Sequence, residues 1–98
     1  MKIERIDNNG QVTLKLFGCL DTTAAQEFGQ ALAGAEAATE LVIDFTGLEF
    51  IASSGIRHLV SANKKASSAG RSIVLTGMNE VVSDVFEVTG LTEVFTVR

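Results

Sequence analysis

The chain has no proline, no tryptophan and no tyrosine, and it has one cysteine in 98 residues. Without proline, a low-complexity run or a block of like charges, no segment has the composition of a linker. The single Cys19 cannot form an internal disulfide, which agrees with a reducing compartment. We therefore interpret residues 1–98 as one domain, of a size that can bury a hydrophobic core.

Positive charge is also scarce. Eight Lys and Arg residues stand against twelve Asp and Glu, which gives a formal net charge of −4. The only cationic cluster is Lys64-Lys65, which is typical of a solvated helix face, and no basic stripe alternates with aromatic residues. The attraction to phosphates and the stacking surfaces of nucleic-acid-binding proteins are both missing. The composition argues against direct binding of nucleic acid.

Long hydrophobic runs are absent as well. The first residues, Met1 to Arg5, lead directly into a strand pattern and lack the apolar segment of a signal peptide. Elsewhere the wholly apolar runs are only a few residues long, far shorter than a segment that crosses a bilayer. The sequence predicts a cytoplasmic protein that does not associate with a membrane.

The hydrophobic residues that are present follow two periods. Val12 to Leu16 alternate as a half-buried strand does, and Asn8-Asn9-Gly10 before them is typical of a hairpin turn. Apolar residues at helical spacing then alternate with short β-rich runs, and Asp21 and Asn79 stand where a side chain would cap a helix. The remaining predicted elements are helices from about 22 to 35, 54 to 68 and 80 to 89, and strands at 41–45, 72–76 and 91–97.

This order, β-β-α-β-α-β-α-β, predicts an α/β domain with a mixed, largely parallel sheet of four or five strands and three or four helices. If the three strands that lead into helices are parallel, the loops that follow them lie along one edge of the sheet. These loops are Gly18–Thr22, Thr46–Ser54 and Gly77–Asn79. We expect any functional site at this edge.

The loop before the second helix has an unusual composition. Three apolar residues, Phe50-Ile51-Ala52, precede two hydroxyls, Ser53 and Ser54, and a glycine, Gly55. A helix N-terminus offers free amides and the positive end of the helix dipole to an anion. Gly55 would let another molecule approach the backbone closely. From the residues alone, the serines are either helix caps or part of a site for an anionic group.

Several segments resemble the STAS domain, which occurs in stand-alone form in bacterial anti-sigma factor antagonists. The central match is Leu41–Phe45 followed by Leu48–Ile56, and further matches are Leu16–Asp21, Gly70–Leu75 and Val88–Leu91. The likeness extends over essentially the whole chain. It implies a STAS-like fold and a regulatory protein that binds another protein, with no catalytic activity and no cofactor.

In antagonists of that family, the partner anti-sigma factor is a serine-protein kinase that phosphorylates a serine of the central loop. Ser53 occupies the matching position, and Ser54 is the second choice. The resemblance thus implies control of sigma-factor-dependent transcription by phosphorylation of Ser53, with a serine phosphatase to reset it. Many antagonists have Asp before the target serine where this chain has Ala52, so a STAS scaffold that is never phosphorylated remains the alternative.

The expected contact surface lies at the same edge of the sheet. Phosphorylation would add a charge of about −1.5 to −2, which the helix N-terminus can accept but an interface packed over the serine cannot. We expect a monomer or a weak dimer. The residues expected at the partner interface are Asp21, Ile51, Ala52, Ser53, Ser54, Gly55 and Met78.

Other functions find less support in the sequence. A serine hydrolase needs a base beside the nucleophile, but the only histidine is His58 and no G-x-S-x-G motif is present. No phosphate-binding glycine motif indicates a nucleotide site, and no His or Cys cluster indicates a metal site. Cys19 is expected to be half-buried, and Phe50 to lie either in the core or at an interface. The expected core aromatic residues are Phe17, Phe28, Phe45 and Phe86.

Overall fold

A computed structural model describes residues 1–98 as a five-stranded sheet with three α-helices. The strands lie in sequential order across the sheet; β1 is antiparallel to β2, and every later pair is parallel. The predicted fold class and element order are confirmed. The elements are β1 (Lys2–Asn8), β2 (Gln11–Leu20), α1 (Thr22–Gly34), β3 (Glu40–Ile51), α2 (Ser53–Ser68), β4 (Ser72–Thr76), α3 (Glu80–Val88), a 3₁₀ turn (Leu91–Glu93) and β5 (Thr96–Val97).

The predicted hairpin opens the sheet. Asn9 and Gly10 both have positive φ, 52° and 87°, as a two-residue type I′ turn requires. The turn sets the register from Asn8 opposite Gln11 to Lys2 opposite Phe17. This part of the prediction is confirmed.

The core lies between the sheet and its helices. The three parallel crossovers all step in the same direction, so the right-handed rule places α1, α2 and α3 on one face of the sheet. Leu14, Ile43 and Leu75 form one row of paired positions across that face and are at most 1% exposed. Each helix adds side chains that are fully buried: Phe28 from α1, Leu59 from α2, and Val82 and Phe86 from α3. Each such side chain stabilises the fold by about 1.5–3 kcal/mol relative to exposure.

The opposite face of the sheet carries no helix, and two predictions fail there. Phe17, expected in the core, is 37% exposed, and Cys19, expected to be half-buried, is exposed. Because side chains alternate between the faces of a strand, only one of the apolar neighbours Leu16 and Phe17 can face the helices. Leu16 does so, and it is completely buried. The predictions for Phe28, Phe45 and Phe86 are confirmed.

The predicted loops Gly18–Thr22 and Thr46–Ser54 are wrong, because β2 continues to Leu20 and β3 to Ile51, and a helix begins two residues after each strand end. Two register shifts, between Lys15 and Phe17 and between Gly18 and Cys19, show that β3 carries two bulges there. Pairing with β4 stops where Asp44 faces Thr76, so β2 and β3 continue without it. We call this part, Leu16–Leu20 and Phe45–Ile51, the β2–β3 projection.

The predicted last strand, Leu91–Val97, is also shorter than expected. The amides of Val94 and Phe95 both donate to the Leu91 carbonyl and form a helical turn. This turn directs Phe95 into the core, where its ring packs edge-on against Phe86 with the two ring centroids 6.2 Å apart. Only Thr96 and Val97 remain to pair with β4.

Candidate functional site

The candidate site lies at the tip of the β2–β3 projection. Leu20 and Ile51 are the last paired residues of the two strands, and the Ala52 amide donates to the Leu20 carbonyl at 2.8 Å. This bond ends β3 and sets the direction in which α2 leaves the sheet. Asp21 and Ser53 follow the ends of β2 and β3, so these two residues lie close together at the sheet edge where the site was predicted.

The first turn of α2 contains both serines. The helix begins at Ser53, with Ala52 as its N-cap in an extended conformation (φ −88°, ψ 162°), and no side chain caps it. The interpretation of either serine as the cap is therefore wrong, because both lie inside the helix. No acidic residue is present in the first turn either. The positive end of this helix dipole has no negative side chain of its own helix beside it.

The other two helices begin on side chains that accept hydrogen bonds. Asp21 Oδ1 accepts from the Ala24 amide at 2.9 Å, and Asn79 Oδ1 accepts from the Val82 amide at 2.8 Å. Both predicted caps are confirmed. Asn79 has a further role that the sequence does not indicate: its Nδ2 donates to the Leu48 carbonyl at 3.0 Å, at the edge of β3 that β4 leaves unpaired.

The two serines differ in accessibility. Ser53 is exposed to solvent, whereas Ser54 is half-buried. The Ser54 Oγ is shielded from solvent and has no hydrogen-bond partner. Of the two hydroxyl-bearing residues, Ser53 is the one that another protein could reach without rearrangement of the helix.

Two of the residues expected at the interface point into the protein. Ile51 is 3% exposed and belongs to the core cluster. Gly55 is buried, and a Cβ at this position would lie 2.8 Å from Cγ and Cδ2 of Leu20. The glycine therefore lets the start of α2 pack on the end of β2; it does not open the backbone to another molecule. Neither residue can contribute to an accessible contact surface.

The remaining predicted contact residues do not all lie together. Ala52 is half-buried at the tip, between Asp21 and the exposed Ser53. Met78 is half-buried, packs against the core cluster and precedes Asn79, which is bonded to Leu48. Met78 is thus set back along the projection, about three residues or roughly 10 Å from the tip at the rise of a strand.

An exposed apolar group lies on the uncovered face of the sheet, where Phe17 was expected in the core and Phe50 either in the core or at an interface. Phe50 is 45% exposed and pairs with the exposed Cys19, and Phe17 lies two pairs further back, opposite Gly47. A Cβ on Gly47 would collide with the Phe17 ring, so the glycine seats the ring on the strand. The alternation of side chains along β2 could have indicated this group. Leu16 and Leu20 face the core, so Phe17 and Cys19, which lie between them at odd spacing, face the other side of the sheet.

The groups that other functions would require are arranged differently. The His58 ring lies against Gly29 of α1, where an added Cβ would come within 2.7 Å of Nδ1, and no hydrogen bond joins it to either serine. No cluster of three or more His, Cys, Asp or Glu side chains is present. None of the three helices is long and apolar enough to span a membrane.

The fold is similar to solved structures of bacterial regulators at low sequence identity. An anti-sigma factor antagonist from Mycobacterium paratuberculosis is 22% identical, with a TM-score of 0.87 over 98% of this chain and 83% of that chain. An anti-sigma-factor antagonist (STAS) domain protein from Planctomyces limnophilus is 22% identical, with a TM-score of 0.85 over 98% and 87%. The phosphorylated form of the Bacillus cell fate determinant SpoIIAA is 21% identical, with a TM-score of 0.79 over 99% and 91%. These TM-scores establish a shared fold.

The family itself follows from the sequence. No curated protein matches the chain significantly. The family model described as "Mlab, STAS domain" matches residues 5–97, which include the whole β2–β3 projection and the first turn of α2. The chain therefore belongs to the STAS domain family.

Proposed function

We propose that this protein is a regulator of the anti-sigma factor antagonist type, whose partner is an anti-sigma factor with serine-protein kinase activity. The unmodified protein binds the partner through the tip of the β2–β3 projection, and phosphorylation of Ser53 ends the binding. Sigma-factor-dependent transcription in the cytoplasm is thereby controlled, and a serine phosphatase restores the unmodified state. One observation carries the proposal: the exposed Ser53 is the first residue of the only α-helix that no side chain caps.

The first step is that the fold tolerates a phosphate on Ser53. The residue lies in the first turn of α2, and Ala52 has no side-chain oxygen that would compete with a phosphate for the Ser53 and Ser54 amides. A negative group at a helix N-terminus is typically stabilised by about 0.3–1 kcal/mol, and by up to about 2 kcal/mol where it is partly buried. Modification should therefore leave the domain folded.

The second step is that a docked partner does not tolerate the phosphate. A protein surface packed over Ser53 would have to strip water from a dianion, which costs several kcal/mol when no countercharge is supplied. Asp21, at the neighbouring strand end, adds like-charge repulsion. Because each ~1.4 kcal/mol lowers affinity tenfold, the modified protein would lose most of its binding.

The third step concerns the choice of serine. The Ser54 Oγ is shielded from solvent, so a kinase could reach it only after the first turn of α2 opened. Ser53 needs no such opening. The proposal therefore assigns phosphorylation to Ser53 and keeps Ser54 as the second choice.

The test compares binding of three variants to anti-sigma factor kinases from the source cell. Ser53→Asp should weaken binding by about tenfold or more, whereas Ser53→Ala should bind as the parent does and resist inactivation by kinase and ATP. Ser67→Asp, which adds the same charge at the exposed far end of α2, is the matched control and should bind normally. Circular dichroism should be the same for all four proteins. Equal binding by Ser53→Asp and the parent would refute the proposed switch.

A STAS scaffold that is never phosphorylated is the second candidate, and Ala52 favours it because many antagonists have Asp at this position. The two candidates differ in a single observable. Mass spectrometry of the protein from its native cell should detect phosphate on Ser53 if the chain is a switch, and none under any growth condition if it is a scaffold.

A further inference from the structure

A groove that encloses about 100 Å³ and is open to solvent lies between α1 and α2. It is lined by the second half of α1, the segment that leads into β3, one side of α2 and the start of β4, so it opens toward the amino ends of the parallel strands. Ser53 and the β2–β3 projection do not take part in it.

The floor of the groove is apolar. Leu32, Leu41 and Ile73 form its base and are 3–7% exposed. The facing walls are built from short residues, with Ala62 and Ala66 on α2 opposite Gly29 and Ala33 on α1. Because these side chains are small, the two helices leave space between them that longer residues would fill.

The mouth of the groove is cationic, although the protein as a whole carries a charge of −4. Lys65 reaches across it to Glu36, with Nζ 3.3 Å from Oε1, so these two charges largely neutralise each other. Arg71 also lines the groove, is half-buried, and forms no hydrogen bond or ion pair through its side chain. The groove therefore has one uncompensated guanidinium at the edge of an apolar floor.

We propose that this groove binds an amphiphilic monocarboxylate, a molecule with one carboxylate and an unbranched hydrocarbon chain. The planar Arg71 guanidinium has the geometry to bind a carboxylate through two parallel hydrogen bonds. The hydrocarbon chain lies over the apolar floor and against Ala62 and Ala66, which are only half-buried, so it removes apolar surface from water. This site is separate from the proposed switch, because Arg71 follows the C-terminal end of α2 and Ser53 opens its N-terminal end.

The test is an NMR titration of the ¹⁵N-labelled protein with decanoate below the concentration at which it forms micelles. Two matched probes separate the parts of the ligand: decyltrimethylammonium keeps the chain and reverses the charge, and acetate keeps the carboxylate and removes the chain. Decanoate should give saturable shifts at groove amides with a Kd of roughly a millimolar, as expected for so small a ligand. The other two probes should bind much more weakly.

Two variants test the assigned contacts. Arg71→Gln should weaken decanoate binding about tenfold, since a hydrogen bond to a charged group is lost, whereas Arg57→Gln on the exposed side of α2 should not change it. Ala66→Leu should fill the groove and abolish binding; if its melting temperature falls sharply, Ala62→Val replaces it. The proposal is overturned if decanoate gives no saturable shift, if decyltrimethylammonium binds equally well, or if Arg71→Gln binds as the parent does. Loss of the Ser53 switch would leave these results unchanged.

Discussion

The N-termini of α1 and α3 differ from that of α2 in the side chain of the N-cap residue and not in the backbone. All three N-cap residues are extended, with φ of −88° at Asp21, −77° at Asn79 and −88° at Ala52. The side chains of Asp21 and Asn79 accept a hydrogen bond from an amide of the first turn, and the Ala52 methyl group cannot. In α2 the corresponding amide, that of Gly55, donates to the Ala52 carbonyl at 3.0 Å. The chain thus folds α2 without a stabilisation that typically amounts to about 1 kcal/mol.

Packing replaces the missing cap. Gly55 seats the first turn of α2 against Leu20, and Leu59, one turn later, is completely buried. The start of α2 is therefore held from inside the domain, while the amides of Ser53 and Ser54 have no acceptor in the protein. A phosphate on Ser53 can supply the hydrogen-bond acceptor that the Ala52 side chain lacks. This is the physical basis of the proposed switch.

The largest expected effect is at the cap of α3. Asn79→Ala removes the acceptor for the Val82 amide and also the donor to the Leu48 carbonyl, so the free energy of unfolding should fall by about 2–3 kcal/mol. Urea denaturation followed by circular dichroism measures this change. Asn79→Asp keeps the cap but loses the donor and should be intermediate. If both variants lie within experimental error of the parent, the bond to Leu48 does not stabilise the projection.

The cap of α1 should have a smaller effect, because Asp21 makes a single hydrogen bond with the first turn. Asp21→Ala should lower the free energy of unfolding by about 1 kcal/mol, and Asp21→Asn should recover most of the loss. Asp84→Ala, which removes an exposed carboxylate from the middle of α3, controls for the change of charge. Equal losses for Asp21→Ala and Asp84→Ala would mean that charge, and not capping, is responsible.

A substitution at Ala52 can give α2 the side-chain cap that α1 and α3 already have. Ala52→Asp places a carboxylate on a backbone that is already in the N-cap conformation, so the free energy of unfolding should rise by about 0.5–1 kcal/mol. Ala52→Ser should give a similar gain without a full charge. Thermal denaturation of the two variants beside the parent measures the gain. No gain in either variant would mean that the amides of the first turn are already satisfied.

The sequence predicts some of these features and not others, and the range of the interactions explains the difference. The Asp21 and Asn79 caps depend on residues three positions apart, so they can be recognised from local spacing. The inward orientation of Ile51 depends on pairing with Leu20, thirty-one positions earlier, through two bulges that break the alternation of β3. The groove at Arg71 depends on how closely two helices approach, which no local pattern records.

The smallest expected effect concerns the other end of α1, where Arg5 Nη1 donates to the Gly34 carbonyl at 2.9 Å. Asp7 holds this guanidinium through a hydrogen bond of 2.7 Å, and that bond lowers the pKa of the Asp7 carboxyl below its usual value of 3.8. Because the pKa is lower in the folded than in the unfolded protein, the pair stabilises the fold above the unfolded pKa. The stabilisation is lost as the pH falls through the folded pKa.

The pair is fully exposed, so the surrounding water and salt should keep its contribution small. The experiment compares urea denaturation of the parent and Asp7→Asn at neutral pH and at pH values below the usual carboxyl range. The parent should be slightly more stable at neutral pH, and the difference should vanish in acid and shrink in high salt. A difference that persisted in acid would place the effect of Asp7 in the packing of β1 and not in the ion pair, and the end of α1 would then depend on Arg5 alone.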